Sequence, residues 1–221
     1  MKNNFIYTLS LALLFFSSGA TAQSPVPVKK EPSHKIVFKN KLVTIMYPRI
    51  LPGETTQFHI HETPSIFLIM KDAYVYDETY GKPGEKFVSS RGETWYSEFK
   101  KKQVHKIRNL DSVDHQSILI EFTGEAKSKY PDPIAGFGKP EYFERVRIYP
   151  LKLNANSSLD FQMNSNPAIM ITYKGNLSFS EKGKTLTLRE GDIKWVEEAS
   201  LLTLMNEGTE TIEGYIFEIR K

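Results

Sequence analysis

Cysteine is absent from the 221-residue chain. That excludes disulfide staples, thiolate nucleophiles, cysteine metal ligands and an acylated N-terminal cysteine. Stability must come from burial, which a chain of this size can supply in one or two cores. No sign of charge dominates, because 29 Lys and Arg stand against 26 Asp and Glu. So small an excess argues for neither a nucleic-acid partner nor an anionic membrane surface. The one dense basic cluster, Lys100-Lys101-Lys102 with Lys106 and Arg108 behind it, reads as a solvated turn. Beyond residue 16 no apolar run approaches the ~20 residues of a membrane-spanning helix. Gly-x-Ser-x-Gly and P-loop patterns are missing, and Gly136-Phe137-Gly138 is no dinucleotide fingerprint, so nucleophilic-serine and nucleotide chemistry find no support.

The N-terminus has the form of a secretory signal: Lys2, an apolar run from Phe5 to Phe16, then small residues ending Ala20-Thr21-Ala22 before Gln23. Residues 1–22 are expected to be a cleaved signal peptide. Residues 23–34, polar and proline-rich, then form a disordered leader, and the mature chain is periplasmic or secreted with no membrane insertion. Loss of Lys2 leaves a net charge near +2.

Long stretches of helical periodicity are missing too. What stands in their place is short runs of Ile, Val, Phe, Tyr and Thr, such as 42–47, 57–61, 66–70, 116–122, 168–173 and 215–219. Turn signals separate them at Pro52-Gly53, Lys82-Pro83-Gly84 and Lys182-Gly183-Lys184. Many short strands at this spacing predict an all-β sandwich or barrel. Between residues 124 and 144 Gly and Pro accumulate, which reads as a linker between two similar halves, 35–123 and 145–221. An internal repeat supports the division. Phe58-His59-Ile60-His61 with Pro64 aligns with Phe161-Gln162-Met163-Asn164 with Pro167, followed by Gly92 and Trp95 with Gly191 and Trp195, and Asn109 with Asn206.

Three of the five histidines carry the chemistry. On a strand, residues i and i+2 share a face, so His59 and His61 lie about 6–7 Å apart at Cα and their rings can converge on one ion. His105, at the start of a later β segment, supplies a third imidazole once the sheet folds. Neutral imidazoles suit one divalent transition metal, Fe, Zn, Ni or Cu, and three protein ligands leave open positions for water, dioxygen or a chelating substrate. His34, in the leader, and His115, beside Asp114 in a loop, read as ordinary residues.

These motifs resemble those of the cupin superfamily, in which a Gly, five residues and His-x-His are followed by a Glu, and a second motif carries Gly and later His-x-x-x-Asn. Here the first runs from Gly53 to His59-Ile60-His61 and the second from Gly92 to His105-Lys106-Ile107-Arg108-Asn109. The motif Glu is replaced by Ser65 or Ile66, and Glu62 would face away from the histidines on a regular strand. Three-histidine cupins without the carboxylate, resembling thiol and diketone dioxygenases, keep iron open.

The resemblance implies tandem jelly-roll barrels, with His59, His61 and His105 holding the metal in the first. Gln57, Tyr74, Tyr76, Trp95, Tyr96 and Glu98 are candidate pocket residues. In the second barrel Gln162, Asn164 and Leu202 face the three histidines, and such a set binds transition ions weakly or not at all. That half is expected to be metal-free and to support the first barrel, complete its pocket or pair with a second copy as a homodimer. The function implied is a metal-dependent enzyme acting on a small molecule, dioxygenase-like with iron and a sugar-acid isomerase or lyase otherwise. The alternatives are a non-catalytic binding module for a small molecule or metal, and a structural protein with a relic site.

Overall fold

The computed structural model describes residues 24–221, so the signal-peptide expectation for residues 1–22 falls outside the described residues. The first half contributes β1 (Val26–Pro27), β2 (His34–Lys39), β3 (Val43–Ile50), β4 (His59–His61), β5 (Ser65–Ile69), β6 (Ala73–Thr79), β7 (Glu85–Ser89), β8 (Thr94–Ser97), β9 (Gln103–Asn109) and β10 (His115–Phe122). The second contributes β11 (Glu141–Tyr142), β12 (Val146–Leu153), β13 (Ser157–Gln162), β14 (Ala168–Lys174), β15 (Leu177–Glu181), β16 (Lys184–Leu188), β17 (Ile193–Val196), β18 (Leu201–Asn206) and β19 (Ile212–Ile219).

Four sheets result, with strand orders β1-β4-β9-β6-β7, β2-β3-β10-β5-β8, β11-β12-β19-β14-β17 and β13-β18-β15-β16. Each half pairs two of them into a barrel. Strand alternation assigns the side chains. On β3, β5 and β10 one face sends Val43, Ile45, Ile66, Leu68, Ile118, Ile120 and Phe122 out of the first barrel. There they meet Val146, Ile148, Ile169, Ile171, Phe217 and Ile219 of β12, β14 and β19 in one core. The barrels therefore share a buried wall, and at about 1.5–3 kcal/mol per large apolar side chain this layer locks them together. Arg91 adds polar links across it, donating to the Tyr173 carbonyl at 2.6 Å and pairing with Glu190.

The opposite faces fill the two interiors differently. In the second barrel Tyr149, Leu151, Phe161, Met163, Met170, Leu202, Leu204 and Ile216 form a closed apolar core. In the first, Val28, Met46 and Leu119, with Phe67 against them, make a smaller cluster, and a cavity lies beside the remaining interior side chains.

The repeat is visible in hydrogen bonds. Asn109 Nδ2 donates to the carbonyls of Ile50 and Val113, and Asn206 Nδ2 donates to those of Leu153 and Glu210. Gly92 and Gly191 both take positive φ, and their amides reach the Ile69 and Thr172 carbonyls. The ladders, however, correct the alignment. His59 pairs with His105 across β4 and β9, whereas Leu202 pairs with Phe161 across β13 and β18. Phe161 and Met163, not Gln162 and Asn164, thus occupy the places of His59 and His61, and they are buried while Gln162 is exposed. Likewise Trp195 corresponds to Tyr96 rather than Trp95, because Tyr96 faces Ile66 as Trp195 faces Ile169.

Two segments differ from the sequence reading. The leader, described from residue 24, is ordered: β1 adds to the open edge of β4 in parallel, Val26 beside His59. An edge strand offers unpaired amides and carbonyls, and Val26 takes one, its amide donating to the Phe58 carbonyl. Val28 is then buried against Met46 and Leu119. The buried Glu31 carboxylate accepts from the Gln57 amide at 3.0 Å. Residues 127–144 pack on the second barrel rather than forming a free linker, while Gly124 stays hydrogen-bonded to Leu42 of the first. Ile134 enters its core, β11 pairs with β12, and the buried Arg147 clamps the segment by donating to the Pro131 and Asp132 carbonyls while ion-paired to Glu218.

Candidate metal centre

β4 and β9 are neighbours, and their register sets His59 opposite His105, with His61 two residues along on the same inward face. The ligating nitrogens of His59, His61 and His105 all lie within 4.8 Å of one another. Nε2 of His61 and Nε2 of His105 are 3.1 Å apart. Two nitrogens bound to one ion at about 2.1 Å each, near a right angle, have about that separation.

Two of the three outer nitrogens are fixed. His59 Nδ1 lies 2.9 Å from the Gln57 carbonyl, which only accepts, so Nδ1 carries the proton and Nε2 keeps its lone pair. His105 Nδ1 sits 2.9 and 3.1 Å from the two oxygens of Asp77, which orients its ring in the same sense. His61 Nδ1 is buried without a partner. Burial, with His105 next, pushes the pKa of His59 down to about 4 and, with both neighbouring histidines, that of His61 to about 2, so both rings are neutral. Bare nitrogen lone pairs converging in a buried place fit a cation; the donor set suits a divalent transition ion.

Beside the histidines the first barrel encloses a cavity of about 90 Å³. Ile50, Ile69, Val75 and Ile107 form apolar walls, and Ser89 and Ser117 add hydroxyls. Phe87 and Trp95, 41% and 43% exposed, stand at its mouth, Trp95 stacked on Phe67 at 4.9 Å.

Of the candidate pocket residues, Trp95 lines this cavity and the others do not. Tyr74 faces solvent, and the Tyr76 hydroxyl accepts from the Gly84 amide on the hairpin. Tyr96 enters the layer between the barrels beside Phe122 and Phe143, donating to Glu98 at 2.5 Å. Gln57 serves through its backbone, joining Glu31 to His59. Glu62 pairs with Lys102 at the surface, and Ser65 donates to the Thr63 carbonyl. Among the described residues no carboxylate joins the ligand group in place of the missing motif Glu, although Asp77 stands behind it.

Three residues were missed. Asp77 was discoverable from alternation, since Tyr74 and Tyr76 face outward and Val75 and Asp77 inward on β6. His34 and His115, read as ordinary, both line the cavity, so all five histidines of the chain meet there. His34 lies 4.8 Å from the His59 ring and is held through Nδ1 by Ser33 Oγ at 3.0 Å. Burial lowers the pKa of His34 to about 3 and of His115 to about 4.

The barrel pair has counterparts among solved structures. AerE from Microcystis aeruginosa superposes with a TM-score of 0.60 at 15% identity, covering 89% of this chain and 98% of that one. A cupin 2 conserved barrel domain protein from Leptotrichia buccalis gives 0.55 at 12%, covering 84% and 88%. This is the cupin fold. Salicylate 1,2-dioxygenase from Pseudoaminobacter salicylatoxidans, solved as an adduct with gentisate, shares it at 0.60 and 12% identity, with coverage of 83% and 70%. No family model and no curated protein matches the sequence. At these identities the cupin likeness speaks for the fold, and the chemistry rests on the histidines.

Proposed function

We propose that this cupin-fold chain is an exported, metal-dependent enzyme acting on a small molecule, with His59, His61 and His105 holding one divalent transition ion. The observation that carries the reading is the convergence of the three imidazoles beside a cavity, two of them oriented from behind by Gln57 and Asp77. Such second-layer hydrogen bonds fix the tautomer and raise ligand basicity. Bound there, the ion would supply Lewis acidity and, if it is iron, a site for dioxygen. The protein's own part is to present the three converging ring nitrogens, to keep water from the apolar end with Ile50, Ile69 and Val75, and to admit ligand between Phe87 and Trp95. The likeness to a salicylate dioxygenase supports an oxygen-using reaction within this reading. The signal-like N-terminus supports export to the periplasm or beyond.

Metal analysis of protein purified without added metal and without a histidine tag tests the centre. About one ion per chain is expected, falling at least tenfold in His59→Ala and His105→Ala. Wild-type protein that takes up no Fe, Zn, Ni or Cu on reconstitution would overturn the proposal.

A further inference from the structure

We infer that the ligand of this cavity is a small molecule with one polar or anionic head and a short apolar body, carrying no second charge and no aromatic ring. The inference rests on the reading of the three histidines as a metal centre. Size is the first ground. The cavity of about 90 Å³ includes the space that an ion and the bound head would occupy. A dry cavity of about 150 Å³ accommodates benzene, so the space inside this mouth is smaller than a benzene ring needs. The fold's salicylate dioxygenase, solved with gentisate, is a contrast: an aromatic ring exceeds the space inside this mouth.

Charge is the second ground. Among the described residues no lysine or arginine lines the cavity, and its one carboxylate, Asp77, is committed to His105. A single anionic head could be balanced by the ion. The far carboxylate of a diacid would be buried without a partner, which is strongly unfavourable. His34 and His115 offer ring nitrogens that can hydrogen-bond a head group, but neither is a fixed cation of the Lys or Arg kind. The third ground is the wall itself: Ile50 and Ile69 from one sheet and Val75 and Ile107 from the other reward an aliphatic body, and Phe87 and Trp95 extend that surface to the mouth.

The test uses the protein stripped of metal and loaded with cobalt(II), titrated with propionate, succinate and salicylate while the visible absorption of the bound ion is followed. Propionate is expected to bind at least tenfold more tightly than either of the others. Ile69→Ala, which enlarges the cavity without touching a ligand, is expected to close the gap for salicylate at least tenfold and to leave the gap for succinate in place. Succinate or salicylate binding as tightly as propionate to the wild type would overturn the inference and leave the metal centre standing. So would an Ile69→Ala protein whose salicylate-to-propionate ratio is unchanged. Wild-type protein that binds cobalt no better than His59→Ala would overturn the metal reading and this inference with it.

Discussion

Acid should unfold the metal-free protein well before most carboxylates are protonated, and the histidine cavity is the reason. Burial is the main cause that holds His34, His59, His61 and His115 at about 3, 4, 2 and 4. An unfolded histidine titrates near 6.5. Each folded pKa therefore lies below its unfolded value. Between pH 6.5 and about 4 the unfolded chain takes up protons that the folded chain refuses, and stability falls as pH falls. From pH 7 to pH 5 the loss is about 2 kcal/mol per ring, and about 7 kcal/mol for four. That is comparable with a domain's whole stability of ~5–15 kcal/mol. Near pH 5.5 unfolding should take up about three to four protons. The assay is urea unfolding of chelator-treated protein at pH 7, 6 and 5, followed by circular dichroism. His115→Gln should lower the proton uptake by about one. A midpoint that stays constant from pH 7 to pH 5 would refute the argument that these rings are buried neutral.

Three further outcomes are expected. Asp77→Asn should weaken metal binding about 10–100-fold with little change in fold, because it removes the carboxylate that orients His105; competition with a coloured chelator measures it. Leu202→Ala should cost about 2–5 kcal/mol in denaturant unfolding while leaving metal content unchanged, since Leu202 is fully buried in the second barrel's core. Protein recovered from the exported fraction should have the intact mass of a chain beginning at Gln23.

The pairing of His59, His61 and His105 was legible because it depends on local parity and on a motif whose spacing survives in one sequence. Other errors came from single-residue shifts, to which a period of two is unforgiving. Phe58 aligned with Phe161 looks like a conserved match, yet the ladder sets His59, not Phe58, at that level, and the slip turned two core residues into two surface amides. Tyr74 and Tyr76 were chosen for their chemistry, while their strand turns Val75 and Asp77 inward. His34 and His115 stand at the first positions of β2 and β10, where flanking polar residues resemble loop, and only the closing of the barrel brings them to the cavity. The leader's order was equally hidden, because its partner is the edge of β4 and its anchor is one buried valine.

The corrected register explains why two barrels of one design can differ so far in use. At the level of the three histidines the second barrel holds Phe161, Met163 and Leu202, so its interior closes as an apolar core. The first barrel forgoes that core. It keeps five imidazoles and a cavity where side chains would otherwise interdigitate, and both choices reduce stability. The wall shared by β3, β5 and β10 with β12, β14 and β19 offsets this loss, because the sheet that carries His34 and His115 on one face is buried against the second barrel on the other. A rigid wall behind a polar cavity also keeps the cavity from collapsing onto the histidines. The second barrel therefore serves the site without contributing a residue to its lining.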